Sequence, residues 1–281
     1  MMLTGEATLA GVIGWPIAHS RSPRLHGFWL ERHAIDGAYI PMAVRQDGVE
    51  QAIRALPLLG FRGFNITVPH KETLIRICDS VDDTARRIGA VNTVVIDAAG
   101  HLQGSNTDVF GFMENLQQLQ PGHDVTAGAA LMIGAGGAAR AVAVALLDAG
   151  VPALRIVNRS RERAERLRSD LGDRRISVVD QDDWSRRLGG VATLVNTTSL
   201  GMHGAPALAI DLSTLDSAAL VSDIVYTPLE TDLLKQAAAR GNPTADGIGM
   251  LLHQARAGFR QWFGVEPTVD AALRDHVLND Q

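Results

Sequence analysis

The sequence has little cysteine, few aromatic side chains and no excess of positive charge. Its single cysteine, Cys78, excludes an intrachain disulfide and any zinc site built from several cysteines. The net charge of −5 has the wrong sign for a protein that binds nucleic-acid phosphates, and 4 Trp, 2 Tyr and 7 Phe offer little for base stacking. We therefore expect no nucleic-acid partner, and any basic site must be local.

Long apolar segments are also missing. The longest stretch without a charge, residues 189–210, is interrupted by Asn196 and Pro206, which are costly in lipid. Residues 1–16 contain no basic segment and reach Glu6 before any long apolar run, so we expect no signal peptide. The expectation is a cytoplasmic protein without a membrane partner.

Strand and helix signals alternate along the 281 residues, a length that suggests two domains. Such an alternation is typical of α/β layers with mainly parallel sheets. In the first series the predicted strands are 9–14, 38–44, 64–68 and 90–97, and the predicted helices are 23–33, 48–59 and a short one after Pro69. In the second series the predicted strands are 130–134, 154–158, 175–179, 192–198 and 220–225, and the helices are 109–119, 137–148, 160–171 and 231–240.

Two more helical patterns, 249–263 and 268–278, end the chain with no strand after them. A Rossmann-like unit does not need them, so we expect them to pack on the first domain. The predicted division is therefore a substrate-binding domain of residues 1–108 plus 247–281 and a Rossmann-like domain of residues 109–246.

A glycine-rich loop follows the first strand of the second series and fits the dinucleotide pattern G-x-G-x-x-A. Gly134 permits the tight turn, and Gly136 lets the backbone approach a pyrophosphate held by the N–H groups and dipole of the next helix. The alternative is a small-residue packing helix without a ligand. The predicted cofactor loop is Gly134, Ala135, Gly136, Gly137 and Ala138.

The end of the next strand indicates which dinucleotide binds. An NAD site usually has a carboxylate here, whereas this chain reads Asn158, Arg159, Ser160, with Arg163 one turn later. A guanidinium can form a bidentate pair with the 2′-phosphate of NADP. We therefore predict NADP, with an ordinary solvated arginine-rich helix face as the alternative.

Three stretches carry hydroxyl, amide and charged side chains where strands should end. They are GWPIAHSRSPRLH (14–26), GFNITVPHKE (63–72), and AVNT (90–93) with GSNTD (104–108). Ligands of open α/β sheets bind outside the carboxyl ends of strands, so these loops could form one pocket for a small polyhydroxylated molecule. Taken singly, Ser22 could be a helix cap, Asn92 a turn residue and Lys71 a surface cation.

Together these stretches resemble the ordered motifs of the shikimate dehydrogenase family. The matching motifs are the three stretches above, IGAVNTV, GAGGAAR, NRS, NTTSLGM, DIVYTPLET and DGIGMLLHQA, between residue 11 and about residue 264. The resemblance implies NADPH-dependent reduction of 3-dehydroshikimate to shikimate, and a second domain that binds the cofactor. Gly27 and Val109 depart from residues often found in the family, which affects the expected shape of the pocket.

The resemblance also implies residue roles. Lys71 and Asp108 would be the catalytic pair. The substrate would be held by Ser20, Ser22, Thr67, Asn92, Tyr226 and Gln254. Besides the glycine loop and residues 158–160 and 163, the cofactor would contact Ile224, Gly247, Met250 and, with the least support, Asp83.

The chemistry of Lys71 follows without the family. Hydride delivery to a ketone builds negative charge on oxygen, so the site needs a cation and a proton donor, and an ammonium supplies both. Two other interpretations stay open: a quinate/shikimate dehydrogenase that uses NAD, and a non-catalytic sensor of shikimate or NADP. The chain could act as a monomer or a homodimer.

Overall fold

The computed structural model describes residues 3–181 and 184–279, which form two compact α/β units. The two ends of the chain, up to Thr107 and from Leu251 onward, form the first unit, and Asp108–Met250 forms the second. The sequence placed Asp108 and residues 247–250 in the first unit. Asp108 and residues 248–250 belong to the first turns of helices that start at the boundary, and Gly247 directly precedes the second of these helices, which explains the shift.

The first unit contains six strands and six helices among the described residues. Its strands are β1 (Thr8–Gly14), β2 (Gly37–Ala43), β3 (Phe61–Ile66), β4 (Ser80–Val81), β5 (Thr93–Ile96) and β6 (Leu102–Ser105). Its helices are α1 (Ser22–Arg32), α2 (Val49–Ala55), α3 (Leu74–Ile77) and α4 (Asp83–Ile88), with α9 (Ile248–Phe263, from Leu251 onward) and α10 (Ala271–Leu278) from the chain end.

The sheet of the first unit is mixed. Its strand order is β2-β1-β3-β5-β6-β4, and β5 pairs antiparallel with both β3 and β6. The sequence predicted a mainly parallel sheet, and three of the five strand pairings are parallel. It did not predict the strand at 102–105, which pairs antiparallel with β5. The difference arises at the β5–β6 connection, where Asp97 accepts hydrogen bonds from the backbone N–H groups of Ala99 and His101. This tight turn joins neighbouring strands as a hairpin, which can only be antiparallel.

The second unit has a sheet whose strands are all parallel, in the order β12-β11-β10-β7-β8-β9. Its strands are β7 (Ala129–Ile133), β8 (Leu154–Val157), β9 (Ile176–Val179), β10 (Val191–Asn196), β11 (Leu220–Asp223) and β12 (Thr244–Ala245). Its helices are α5 (Asp108–Leu119), α6 (Gly137–Asp148), α7 (Arg161–Leu171) and α8 (Asp232–Ala239). All five residues of β7 are buried, as expected for a parallel sheet covered on both faces.

Helix α6 shows how the sequence sets the packing of this unit. Ala139, Val142, Ala143 and Leu146 recur at helical spacing, and each is fully buried. Small alanines let the helix approach the sheet closely, so the loop that precedes α6 is held at the carboxyl end of β7. The predicted bounds of this helix, 137–148, agree with the structure.

The C-terminal helix α9 is joined to the sheet of the first unit by Trp262. The indole Nε1 donates to the carbonyl of Val94 in β5 at 3.0 Å. The indole occupies the space beside Gly63 of β3, where a Cβ atom would collide with it. The chain end returns to the first unit, as expected from the lack of a further strand, and this tryptophan–glycine contact is one of the contacts that hold it there.

Within residues 3–181 and 184–279, no helix is long and apolar enough to span a membrane. The same residues contain no cluster of three or more His, Cys, Asp or Glu side chains that could hold a metal ion.

Candidate active site

The loop after β1 carries Ser20 and Ser22. Ser20 Oγ accepts a hydrogen bond from the backbone N–H of Ser22 at 3.4 Å. Helix α1 already begins at Ser22, and its N-cap residue, Arg21, makes no side-chain cap. The Ser22 hydroxyl instead lies near the hydroxyl of Tyr39 in β2, where it partly offsets the rise that burial causes in the pKa of Tyr39. Ser22 is therefore not the helix cap that its sequence position allowed.

The loop after β3 carries Thr67 and Lys71. The backbone N–H of Thr67 donates to Ile13 of β1 at 2.9 Å, and the carbonyl of Thr67 accepts from His70 at 3.0 Å, which closes a turn. The carbonyl of Lys71 accepts from the N–H of Val91 at 2.9 Å. The half-buried Lys71 is thereby tied to the segment that leads into Asn92.

Asn92 is buried, with 3% of its surface exposed, and it organises the ends of three segments. Its Oδ1 accepts from the backbone N–H of Thr107 at 2.9 Å and from Thr93 Oγ1 at 2.9 Å. Its Nδ2 donates to Gln254 Oε1 of α9 at 3.1 Å. The structure therefore brings two predicted substrate residues, Asn92 and Gln254, into direct contact, and Asn92 is more than a turn residue.

Two residues of this region were given no role from the sequence: Asn65, which stands in a predicted pocket stretch, and Tyr39, which was not singled out. Tyr39 donates to Asn65 Oδ1 at 2.6 Å, and Asn65 Nδ2 donates to Thr93 Oγ1 at 3.0 Å. Asn65 stands in the GFNITVPHKE stretch, so the sequence contained a signal for it. Tyr39 lies in a plain predicted strand, and only the tertiary structure places it beside Ser22 and Asn65.

The remaining acidic candidates lie at helix starts. Asp108 is the first residue of α5 and is buried, with 3% exposed. Asp83 is exposed in the first turn of α4, where a carboxylate complements the helix dipole without any ligand. The predicted cofactor role of Asp83 stays a prediction with no further support.

In the second unit, the glycine loop has the shape that a pyrophosphate requires. Gly134 has a φ of +119°, and a Cβ atom there would overlap Thr197, whose Oγ1 donates to Ile133 at 2.7 Å. Around Gly136 and Gly137 no atom lies within 4 Å of an added Cβ, so the backbone there is open to a ligand. Helix α6 has no acidic side chain in its first turn. These features fit a dinucleotide phosphate better than a purely structural helix.

The arginines after β8 fall into two groups. Arg161 pairs with Asp180 and Glu165, whereas Arg166 and Arg168 pair with acidic residues of their own helix. Within the described ranges, no acidic residue pairs with Arg159 or Arg163, and both are exposed. Only this second group is available to a ligand phosphate.

Ser160 caps the helix that carries Arg163. Its Oγ accepts from the N–H of Arg163 at 3.4 Å, and its carbonyl accepts from Asn158 Nδ2 at 2.8 Å. Asn158 and Ser160 thus shape the turn that presents Arg159.

Ile224 and Gly247 approach each other through their backbones. A Cβ atom at Gly247 would collide with the main chain of Ile224, so glycine is required there. Met250 and Ile224 also pack on the same apolar cluster. The structure therefore brings three of the predicted cofactor residues together, while the half-buried Tyr226 follows at the end of the same loop.

A buried carboxylate that the sequence analysis missed supports this loop. Asp223 accepts from Asn196 Nδ2 at 2.9 Å, from the N–H of Val225 at 3.0 Å and from Thr231 Oγ1 at 2.7 Å. Burial raises the pKa of Asp223, and its three hydrogen bonds oppose that rise. The DIVYTP motif contained this residue, but nothing in the sequence showed its burial.

Family models match most of the chain. The shikimate dehydrogenase substrate-binding domain matches residues 12–94, shikimate/quinate 5-dehydrogenase matches 116–227, and the shikimate 5′-dehydrogenase C-terminal domain matches 247–274. A shikimate dehydrogenase (NADP(+)) of Paramagnetospirillum magneticum is 58% identical over 277 residues, which cover 99% of this chain and 100% of the relative. The chain belongs to the shikimate dehydrogenase family.

Solved structures of the family agree over the full length. A quinate dehydrogenase of Corynebacterium glutamicum in complex with NAD has a TM-score of 0.90 at 36% identity, covering 97% of this chain and 99% of that one. A shikimate 5-dehydrogenase of Thermus thermophilus in complex with NADP(H) and shikimate has a TM-score of 0.84 at 34% identity, covering 96% and 98%. The predicted family and two-domain α/β fold class are confirmed.

Proposed function

We propose that this protein catalyses the reversible NADPH-dependent reduction of 3-dehydroshikimate to shikimate. The observation that carries the proposal is the hydrogen-bonded assembly around Asn92, which joins the family's substrate motifs within the first unit. Its amides and hydroxyls offer both donors and acceptors, as a small ligand with several hydroxyls and a carboxylate requires. Curated relatives at 50–58% identity carry this activity in their names.

The proposed role of Lys71 is to stabilise and protonate the carbonyl oxygen. NADPH supplies a hydride to the carbonyl carbon when it is bound. The ammonium of Lys71 offsets the negative charge that develops on the oxygen and donates the proton that completes the hydroxyl. In the reverse direction Lys71 accepts that proton. The proposed role of Asp108 is to keep Lys71 charged and oriented and to bind a substrate hydroxyl.

The substrate is held in this proposal by Ser20, Ser22, Thr67, Asn92, Tyr226 and Gln254. The first unit contributes the hydroxyl and amide groups of Ser22, Asn92 and Gln254 through the hydrogen bonds described above. Their fixed orientation before binding reduces the entropy that is lost when a ligand is ordered.

The cofactor is held in this proposal by the loop 134–138, by residues 158–160 and 163, and by Ile224, Gly247 and Met250. The arginines without an acidic partner, Arg159 and Arg163, favour NADP over NAD because only NADP carries the 2′-phosphate. We also propose a cytoplasmic location, no nucleic-acid partner, and a monomeric or homodimeric state.

An activity matrix tests the proposal: shikimate and quinate, each with NADP and NAD. We expect the largest kcat/KM for shikimate with NADP. A preference for quinate with NAD would support the alternative, a quinate/shikimate dehydrogenase that uses NAD. This alternative is tested because the similar quinate dehydrogenase of Corynebacterium glutamicum was solved in complex with NAD. Binding of shikimate without turnover with either cofactor would support a sensor instead.

A further inference from the structure

The hydroxyl of Tyr39 occupies a buried position between two polar side chains of the substrate motifs. It donates to Asn65 Oδ1 at 2.6 Å, and the Ser22 hydroxyl lies nearby. The Tyr39 ring is 7% exposed and stacks on the ring of His26 with 3.8 Å between centroids and a 10° angle between planes. The hydroxyl is therefore held at Asn65 by its hydrogen bond and by the stacking of the ring.

Strand pairing explains how Tyr39 reaches Asn65 from the edge of the sheet. In the parallel register, Tyr39 of β2 lies beside Ala10 of β1, and Ala10 lies beside Gly63 of β3. Residues in register point to the same face, and Asn65 is the next residue of β3 on that face. Because Ala10 and Gly63 are small, the phenol passes over β1 and meets Asn65.

The direction of these hydrogen bonds is fixed by their acceptors. Asn65 Nδ2 donates to the carbonyl of Asn92 at 3.1 Å and to Thr93 Oγ1 at 3.0 Å, so Asn65 Oδ1 faces Tyr39. An amide oxygen only accepts, so the single phenolic proton goes to Asn65. The Tyr39 oxygen then keeps its lone pairs as acceptors on the side where the Ser22 hydroxyl lies.

The same chain continues to the other substrate residues. Thr93 Oγ1 donates to Asn92 Oδ1 at 2.9 Å, and Asn92 Nδ2 donates to Gln254 Oε1 at 3.1 Å. Four hydrogen bonds thus run in one direction from Tyr39 to Gln254 through Asn65. The Gln254 oxygen is used in this chain, which leaves its NH₂ group to donate to a ligand.

We propose that Tyr39 is a positioning residue for substrate recognition, which sets the orientation of the Ser22 hydroxyl and of the Asn65 amide. The inference rests on the proposed function, because it assumes that Ser22, Asn92 and Gln254 face the substrate. Tyr39 acts through these residues and does not itself contact the reacting atoms. Its loss should therefore change the affinity for the substrate more than the rate of the chemical step.

The test is Tyr39→Phe, which keeps the ring and its stacking on His26 but removes the hydroxyl. We expect the KM for shikimate to rise about tenfold, because one hydrogen bond of a polar network is lost. The kcat and the KM for NADP should stay within about threefold of their wild-type values. The matched control is Thr193→Val, which also removes a fully buried hydroxyl, one that contacts His123 Nε2 at 2.9 Å in the second unit. Thermal unfolding is measured for both variants, and only Tyr39→Phe should change the KM for shikimate.

A double-mutant cycle shows whether Tyr39 acts through Ser22. We expect the KM of Ser22→Ala/Tyr39→Phe to lie within about threefold of that of Ser22→Ala, because the hydroxyl that Tyr39 orients is already gone. An unchanged KM in Tyr39→Phe, or losses that multiply in the double variant, would overturn this inference while leaving the proposed function intact. A wild-type protein that does not oxidise shikimate with NADP would refute the proposed function itself, and with it the assumption on which the inference rests.

Discussion

The two units present polar groups to their ligands in different ways. In the first unit the groups are side chains held by other side chains, and the hydrogen-bonded chain from Tyr39 to Gln254 contains no charged residue. In the second unit the groups at the glycine loop are backbone N–H groups, and the side chains of Thr197 and Asp223 lie behind the main chain. A substitution in the first unit therefore removes a contact directly, whereas one in the second changes the shape of the backbone.

The largest expected effect concerns side-chain chemistry in the first unit. Lys71→Ala should lower kcat at least about 100-fold and leave cofactor affinity nearly unchanged, because the lost ammonium acts on the carbonyl oxygen. The control is Lys235→Ala, which removes the other lysine of the chain, an exposed residue of α8 beside Asp232. Steady-state rates and cofactor titrations measure both. Turnover of Lys71→Ala within a few-fold of wild type would contradict the assignment.

The next effect concerns backbone shape in the second unit. Gly134→Ala should lower the free energy of unfolding and weaken NADP binding, each by about 1–3 kcal/mol. Alanine is strained at the positive φ, and its Cβ atom would overlap Thr197. Gly122→Ala is the control, since that glycine has open space around it and no positive φ. Urea unfolding and fluorescence titration with NADP report the two quantities. If Gly134→Ala bound NADP as tightly as wild type, the loop would not owe its function to this conformation.

Arg159 is the one point at which the second unit is expected to rely on a side chain. Arg159→Ala should weaken NADP about tenfold and hardly affect NAD, and the difference should shrink as salt rises because the guanidinium is exposed. Arg166→Ala, in which an arginine already paired with Glu162 is removed, is the control. The measurement is kcat/KM for both cofactors at low and high salt. Equal losses for NADP and NAD would assign Arg159 to the fold or the adenine pocket.

The smallest expected effect is a pH dependence of the free energy of unfolding, which has opposite signs for a buried group of each unit. Burial lowers the pKa of His26 to about 3, so this ring stays neutral in the folded state but gains a proton on unfolding below its ordinary pKa of 6.5. The unfolded state then binds more protons, and stability falls by about 1 kcal/mol between pH 6.5 and 5.5. His26→Phe keeps a ring against Tyr39 and should remove that loss, as measured by urea unfolding across this range. An unchanged pH slope would show that His26 is not its source.

Asp223 should act in the opposite direction. Burial raises its pKa in the folded state above the ordinary value of 3.8, so the folded state takes up the proton first as pH falls. Its contribution therefore increases stability as pH falls through the folded pKa toward 3.8. The neutral histidine of the first unit and the buried carboxylate of the second thus contribute slopes of opposite sign to the free energy of unfolding as a function of pH.

The sequence predicted elements best where one local signal was strong. The glycine loop and the alanine-rich face predicted α6 at its observed bounds, because both signals lie within a few residues of each other. Strand β6 was missed because the segment is short and its residues Leu102 and Gly104 alternate with polar ones. Its backbone pairing with β5, which the local sequence does not show, stabilises it as a strand.

The sequence motifs identified the predicted site residues, but they did not identify the buried residues that hold those site residues in place. Asn92 and Gln254 are 162 positions apart, and the motifs named both without showing that they touch. Tyr39 and Asp223 support the candidate site from buried positions, and burial is a property of the tertiary structure. A tyrosine is ordinary in a β-rich run, and an aspartate at the end of such a run does not by itself indicate burial.

The contact of Trp262 with Gly63 has a consequence for the order in which the protein is made. When synthesis reaches Met250, every residue assigned to the second unit has been added to the chain, but the first unit still lacks the helix that covers β3 and β5. The earliest part of the chain must therefore wait for the last part before its sheet is fully covered. In this protein the unit that starts first is completed last.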